Sequence, residues 1–276
     1  MRVDAHQHFW RLSRGGYDWP TADLTALYRD FEPSDLTPQI AALGINRTVL
    51  VQVTETLAET EFCLDLASRN AFIGAVVGWV DMLSSTAPEA IARFAEHPKF
   101  RGVRPMLQVL PDPAWIAQPG LEPAVQALTA HDLSFDALVR PPHLPHLLQF
   151  CRRHPQLRVV IDHGAKPLIA DAILDPWRDD MAALAELPNV SCKLSGLLTE
   201  AGERRSAEAL RPYVRHLVGL FGPSRLMWGS DWPVLTLADS YANWLRMAQE
   251  LLADLPDEDR HWVFGETARR FYWVAA

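Results

Sequence analysis

The sequence predicts a (β/α)8 barrel that forms one domain over residues 1–276, and two patterns carry that prediction. Eight short apolar segments alternate with amphipathic segments along the whole chain, which is the count that such a barrel needs. In addition, the same succession of helix end, X-Pro pair, short turn and apolar strand occurs three times, in AEHPKFRGVR, RRHPQLRVVID and AELPNVSCKLS. A doubly wound open sheet is the competing fold, but no glycine-rich phosphate loop follows the first strand.

The predicted strands are rich in aliphatic and β-branched residues and are bounded by glycine or proline. They cover residues 2–8, 47–53, 72–80, 100–107, 133–140, 157–163, 189–195 and 225–231. The predicted helices space their apolar residues at three and four positions. They cover residues 35–43, 56–69, 86–96, 121–131, 143–153, 171–186, 206–220, 237–254 and 257–272. Ser34 is the expected N-cap of the first helix and Gly44 its end, and residues 9–33 are the longest stretch without a predicted element.

The composition is that of an ordinary water-soluble protein, with 49% hydrophobic and 22% charged residues. A formal net charge of −8 without a basic patch argues against nucleic acid and against an anionic membrane as partners. No apolar run reaches the about 18 residues of a membrane helix, and no signal-peptide pattern is present. Three widely spaced cysteines favour reduced thiols. We therefore expect a cytoplasmic monomer or small homo-oligomer that acts on a small molecule.

The first predicted strand carries three ionisable residues in alternation, Asp4, His6 and His8. Successive side chains of a strand point to opposite faces, so the carboxylate and both imidazoles are expected on the same face. Ionisable groups are costly to bury. Their alignment on an inner strand therefore indicates a functional site, with Asp4 beneath the histidines as an orienting group.

Charged or imidazole side chains follow the C-terminal ends of nearly all predicted strands, where such barrels carry their active sites. In strand order these polar or aromatic residues are His6, His8, Gln52, Trp79, Asp81, Arg104, Arg140, Asp162, His163, Lys193, Ser195, Ser230, Asp231 and Trp232. For any one of them taken alone, a solvated loop residue or a satisfied core histidine is the better explanation. Their coincidence at the same end of so many strands favours a shared site. The other histidines lie on predicted helices or at their ends and are interpreted as structural.

Five motifs resemble the amidohydrolase superfamily, in the branch called amidohydrolase-related or type 2. They are VDAHQHFW, FRGVRPML, VVIDHGAKP, MWGSDWPV and VFGETARRFY, and they run from residue 3 to residue 272. H-x-H alone is a weak signal, whereas its combination with D-H-G-x-x-P and G-S-D-W-P is specific. Thr267 stands where the family usually has asparagine, a departure that concerns structure rather than the site. Within the branch, HQHFW, the Tyr17–Trp19 stretch and VRPPHLP are most similar to sugar-acid lactonases of the L-fuconolactonase and L-rhamnonolactonase type.

The resemblance also raises the question of a metal, because the superfamily commonly uses a divalent ion to lower the pKa of bound water. It implies His6, His8 and Asp231 as ligands, with His163 nearby. Metal-binding members of the branch add a histidine at the end of the fifth strand, where this chain has Arg140. A guanidinium cannot ligate a cation and repels one. We therefore expect that no cofactor is required, that the metal site is weak, and that any bound metal is one zinc ion.

The predicted function is hydrolysis of a sugar-acid lactone, such as L-fuconolactone or L-rhamnonolactone, to the free acid. An ester-like lactone needs less activation than an amide, which suits a site without a required metal. Asp231 is expected to deprotonate water while protonated imidazoles and Arg104 polarise the carbonyl. The expected catalytic residues are Asp231, His163, His6, His8 and Arg104. The expected substrate contacts are Gln52, Trp79, Arg140, Lys193, Trp232, Tyr17 and Trp19.

Three alternatives remain open at this point. Arg104, Arg140 and Lys193 would suit a carboxylated lactone from aromatic degradation, of the pyrone or muconolactone type. A zinc-dependent decarboxylase or amide hydrolase is the second alternative, and metal analysis separates it from the first. The third is a catalytically silent sugar-acid binding protein, which turnover of any lactone excludes.

Overall fold

Eight parallel strands form one sheet in the order of the sequence, as described for residues 1–275 in a computed structural model. The strands are β1 (Val3–Gln7), β2 (Arg47–Val51), β3 (Ile73–Gly78), β4 (Phe100–Val103), β5 (Ser134–Ala137), β6 (Arg158–Ile161), β7 (Val190–Leu194) and β8 (Leu226–Trp228). The last strand meets the first through a parallel bridge between Gln7 and Trp232, where the His8 N–H donates to the Trp232 carbonyl at 2.7 Å. The sheet is therefore closed, and the predicted (β/α)8 barrel is confirmed.

Helices follow the strands and cover the outside of the barrel. They are α1 (Pro33–Leu43), α2 (Leu57–Arg69), α3 (Ala87–Ala95), α4 (Glu122–Ala130), α5 (Leu144–Arg153), α6 (Trp177–Ala185), α7 (Ala207–Phe221), α8 (Tyr241–Leu251), α9 (Asp257–His261) and α10 (Thr267–Phe271). A π-helical turn at Trp262–Glu266 joins the last two. Among residues 1–275, no helix is both long and apolar enough to cross a membrane.

Helices α1, α6 and α8 begin at positions that differ from the prediction by two or more residues, and α8 begins at Tyr241 instead of 237. Helix α1 begins at Pro33 with Glu32 rather than Ser34 as its N-cap, because the Glu32 and Asp35 side chains each bond to the other residue's backbone. Helix α6 begins at Trp177, six residues later than expected from a start at 171. Pro176 is its N-cap, and the residue before a proline disfavours helical backbone angles, which opposes a helix that starts at 171.

The core has two layers. Inside the barrel, Val3 and Val49 share one buried cluster with Tyr272 and Val274 of the C-terminal segment, which therefore fills the barrel floor. A larger cluster lies between the strands and the helices. The three cysteines, Cys63, Cys151 and Cys192, are free and buried in this outer layer.

Strand β1 is irregular, and this decides which of its side chains reach the barrel interior. The pairing register with β2 shifts between Asp4 and Gln7. Asp4 accepts hydrogen bonds from the Tyr241 hydroxyl of α8 (2.8 Å) and from the Ser230 hydroxyl (2.6 Å), so it faces the helix layer. His6 faces the interior. The expectation that Asp4 shares a face with His6 and His8 is therefore wrong, because the irregularity interrupts the two-residue alternation of the strand.

Candidate active site

A cavity of about 270 Å³ lies at the C-terminal ends of the strands. Small-molecule sites typically measure about 300–1,000 Å³, so this volume suits a compact, one-ring substrate. The polar residues of its wall are His8, Arg104, Gln108, Arg140, His163, Lys166 and Asp231. Its apolar wall includes Trp19, Val53, Met106 and Leu138. The wall therefore combines three permanent cations with one carboxylate.

Asp231 is the point at which three imidazoles meet. Its Oδ1 lies 3.3 Å from His8 Nε2 and 3.8 Å from both His6 Nε2 and His163 Nε2. The Nε2 atoms of His6 and His8 are 3.1 Å apart. Together with Arg104 on the cavity wall, the structure thus brings all five residues predicted as catalytic to one place, although His6 lies behind the wall and is fully buried.

Burial and neighbouring charges set the protonation states of this cluster. Burial by itself raises the pKa of Asp231, but His163 and the hydrogen bond from His8 outweigh it, so the pKa lies below its usual value and the carboxylate is ionised. Burial, with Lys193 nearby, lowers the pKa of His6 well below its usual value. Burial likewise lowers the pKa of His163 far below normal. Burial therefore opposes the expected protonation of the His6 and His163 rings, because a charged imidazole is costly to dehydrate.

Each imidazole on the cavity wall is oriented by a second hydrogen bond. His8 Nδ1 donates to the Val51 carbonyl at 2.8 Å, which leaves Nε2 facing Asp231. His163 Nδ1 bonds to the buried Ser195 hydroxyl at 2.8 Å. Gly196 makes room for this ring, because a Cβ at position 196 would lie 2.6 Å from His163 Cγ and Nδ1. The two rings are therefore fixed by the ends of β2 and β7.

Gln52 supports Arg104 instead of meeting the substrate. Its Oε1 accepts from Arg104 Nε at 3.1 Å and from Nη2 at 2.6 Å, and its Nε2 donates to the Arg104 carbonyl at 3.2 Å. Both polar atoms of the amide are thus engaged, and Gln52 is fully buried. The prediction of Gln52 as a substrate contact is corrected to a residue that holds the guanidinium in place.

Lys193 also lies below the cavity rather than on its wall. Its Nζ is 2.7 Å from Asp136 Oδ2, 2.9 Å from Asp162 Oδ1 and 3.2 Å from His6 Nδ1. Tyr272 donates its hydroxyl proton to Asp136 at 2.5 Å. Lys193 is fully buried, so the prediction that it meets substrate hydroxyls is wrong: opposite charges inside the barrel retain it there. Sequence reasoning missed Asp136, whose signal was a carboxylate within the otherwise apolar strand LSFDALVR.

Of the four aromatic residues predicted as substrate contacts, one lines the cavity and three do not. Trp19 lines it. Trp232 packs edge-on against Phe9 and Phe31, with ring centroids 5.8 Å and 5.4 Å away, and is a core residue.

Tyr17 and Trp79 are corrected as well. The Tyr17 hydroxyl donates to Glu59 at 2.9 Å and accepts from Arg14, which keeps the ring beside α2. The backbone N–H of Trp79 donates to the Thr60 hydroxyl at 2.8 Å, and that hydroxyl donates to the Trp79 carbonyl at 2.8 Å. Helix α2 therefore also anchors the chain after β3. Neither side chain belongs to the cavity wall.

The donor atoms of the cluster fit one zinc ion. His6, His163 and Asp231 each offer a ligand atom, and these three atoms lie within 4.8 Å of one another. Ligand atoms that are about 2.0–2.1 Å from a tetrahedral zinc lie about 3.3 Å apart, close to the separations around Asp231. Two residues that come after β5 line the cavity, the buried Leu138 and the exposed Arg140. Neither side chain has a ligand atom for a metal.

Lys166 is the charged residue of the wall that sequence reasoning missed. It lies five residues after the end of β6 at Ile161, within the motif VVIDHGAKP, and its ammonium is 2.8 Å from Glu200 Oε1. The signal in the sequence was a lysine in the motif that also carries His163. It could not be distinguished from a solvated loop lysine without the geometry of the turn.

The comparisons with known proteins agree with this geometry. A family model described as Amidohydrolase matches residues 3–273, so the chain belongs to the amidohydrolase family. A curated protein from Burkholderia ambifaria called L-fucono-1,5-lactonase is 54% identical over 99% of this chain and 96% of its own length. A second L-fucono-1,5-lactonase, from Burkholderia multivorans, is 39% identical with the same coverage of 99% and 96%. A crystal structure of an amidohydrolase from Burkholderia multivorans with bound zinc has a TM-score of 0.94 and 37% identity, with both chains covered completely. The predicted resemblance is thus confirmed.

Proposed function

We propose that this protein is a lactonase that hydrolyses L-fucono-1,5-lactone or a closely related aldonolactone to the free sugar acid. The observation that carries the proposal is the Asp231 carboxylate, which meets three imidazoles beside a compact cavity. The similarity to two L-fucono-1,5-lactonases over nearly the whole chain supports the choice of substrate.

The geometry supports a hydrolysis in which Asp231 is the general base. Water adds to the lactone carbonyl carbon while Asp231 accepts its proton, and the carbonyl electron pair moves onto oxygen. When the tetrahedral intermediate collapses, the bond from the carbonyl carbon to the ring oxygen breaks and Asp231 returns the proton to that oxygen. The cationic part of the wall stabilises the negative charge on the intermediate and on the carboxylate product.

The substrate is tested with a panel of lactones in a pH-indicator assay. We expect turnover of L-fucono-1,5-lactone above that of L-rhamnonolactone, and both above 2-pyrone-4,6-dicarboxylate. The three cations of the wall keep a carboxylated lactone as the second candidate, and preference for the dicarboxylate would replace the proposed substrate class by that one.

Asp231→Asn should reduce kcat by at least about 100-fold, the usual loss when a positioned general base is removed. Asparagine has nearly the same shape but cannot accept a proton from water. The melting temperature should change little. A variant with near-normal kcat would remove Asp231 from the chemistry, and a loss confined to KM would make it a binding group.

We further propose that the reaction does not require a metal, even though the site fits a zinc ion. If zinc is bound, His6, His163 and Asp231, with His8 beside them, would hold it, and it would lower the pKa of a water molecule. Two cations oppose that binding. Arg104 Nη1 lies 3.4 Å from His6 Nε2, and Lys193 Nζ lies 3.2 Å from His6 Nδ1.

Protein treated with a chelator and then dialysed should therefore keep most of its lactonase activity. Metal content is measured on the same sample by elemental analysis, so that residual zinc is accounted for. Loss of activity that added zinc restores would show that the metal is required.

A further inference from the structure

The chain after β6 has an unusual left-handed course directly beside the site. Four consecutive residues, His163, Gly164, Ala165 and Lys166, have φ values of 55°, 57°, 62° and 51°. Only glycine adopts this region without a steric penalty, so three of the four are strained. The Trp177 indole N–H donates to the Gly164 carbonyl at 2.7 Å and holds the turn. The turn directs both His163 and Lys166 to the cavity wall.

The ammonium of Lys166 is anchored but not saturated. Its side chain is 13% exposed and pairs with Glu200, which is 18% exposed, at 2.8 Å. Within the part of the chain that the structure describes, Glu200 is the hydrogen-bond partner that the ammonium has. A lysine has three N–H donors, so two remain for a molecule in the cavity.

The other two cations of the wall are less suited to the reacting group. Arg104 uses Nε and Nη2 for Gln52, and its Nη1 lies 3.4 Å from His6 and 3.7 Å from Asp162. Its donors are therefore directed largely to the protein. Arg140 is exposed, at the rim. Lys166 combines an enclosed position, free donors and a place on the wall that it shares with Asp231.

We infer that Lys166 is a catalytic residue that donates to the lactone carbonyl oxygen and stabilises the oxyanion. The inference rests on the proposed lactonase function. As water adds to the carbonyl carbon and Asp231 takes its proton, the negative charge that develops on the carbonyl oxygen is met by the Lys166 ammonium. The carbonyl double bond re-forms when the ring C–O bond breaks. Lys166 keeps its protons throughout, and Glu200 is the positioning residue that holds the ammonium.

The test compares Lys166→Met, Lys166→Arg and Glu200→Gln with the unaltered protein on L-fucono-1,5-lactone. Lys166→Met should lower kcat about 10²-fold, as expected when one oxyanion donor is removed, with a smaller change in KM. Lys166→Arg keeps the charge and should recover part of that loss. Glu200→Gln keeps the lysine but weakens its anchor, and its kcat should fall between those of Lys166→Met and the unaltered protein.

Lys99→Met is the matched control. Lys99 precedes β4 at the other end of the barrel and donates to the Ala67 carbonyl at 2.6 Å, so its removal should leave kcat unchanged. Melting curves are recorded for every variant to show that it folds. If Lys166→Met does not fold, the kcat values of Lys166→Arg and Glu200→Gln test the inference.

Three results would overturn the inference. An unaltered kcat in Lys166→Met excludes any part in the reaction. A rise in KM with kcat preserved assigns Lys166 to a ring hydroxyl instead of the oxyanion. If Lys166→Met does not fold, a normal kcat in both Lys166→Arg and Glu200→Gln likewise excludes Lys166 from the reaction. Absence of lactone turnover by the unaltered protein is a different failure: it rejects the proposed function, and the inference is rejected with it.

Discussion

Asp231 owes its chemistry to its immediate surroundings. Its backbone has a φ of 58° and its N–H donates to the His6 carbonyl at 2.8 Å, so the carboxylate is held among the imidazoles. Ser230, the residue before it, donates its N–H and its hydroxyl to Asp4. Asp4 therefore acts on the site from the helix side, through the loop that carries Asp231, and not from beneath the histidines.

Gly196 offers a test of how closely His163 must be placed. Gly196→Ala adds a Cβ that would lie 2.6 Å from the His163 ring and forces alanine to a φ of 62°. The ring must shift from its position beside Asp231, so kcat should fall by about 10-fold or more, since small misplacements of catalytic groups are costly.

Gly222→Ala is the matched control for that variant. Gly222 has a φ of 61°, but a Cβ there would meet nothing within 4 Å, so the variant carries the backbone strain without the clash. The left-handed φ should cost each variant about 1–2 kcal/mol of stability, and Gly196→Ala should lose more because of the clash; only Gly196→Ala should lose activity. Equal kcat values in the two would show that His163 tolerates displacement.

Strands β5, β6 and β7 are joined inside the barrel by buried charges. Lys193 of β7 lies between Asp136 of β5 and Asp162, which follows β6. Burial lowers the pKa of Lys193, but the two carboxylates outweigh it and the net pKa lies above the usual value. The ammonium is therefore charged at neutral pH, and its removal leaves carboxylates without a counter-charge.

Lys193→Met should lower the free energy of unfolding by about 3–5 kcal/mol, the cost of breaking a buried ion pair from one side. Urea denaturation measures this. Arg178→Met is the comparison, because the Arg178–Asp175 pair is 47% and 57% exposed, and an exposed pair contributes at most about 1 kcal/mol. If the two variants were equally stable, the buried charges would not support the barrel.

The whole barrel brings together motifs from opposite ends of the chain. The strand that carries His6 and His8 closes against the segment that carries Asp231 and Trp232, as the bridge from Gln7 shows. The C-terminal segment then returns to the barrel floor, where Tyr272 bonds to Asp136. The site consequently has a cavity on one side and a filled, charged interior on the other.

The sequence by itself determined the fold and the end of the barrel that carries the site. Parallel strands that alternate with helices must present all their C-terminal ends on one side, so motif positions along the chain become neighbours in space. That is why His8, Arg104, His163 and Asp231 were predicted together. The order of the motifs, and not the packing of any one residue, carries this information.

Only the tertiary structure decided where each remaining side chain points. The shift in β1 directs Asp4 outward, and the charges of β5 and β6 draw Lys193 inward. The left-handed turn after β6 brings Lys166 to the wall, and Gln52 turns to Arg104. These orientations depend on hydrogen bonds and ion pairs between residues far apart in the chain. No local period of the sequence encodes such contacts, because they exist only once the barrel has closed.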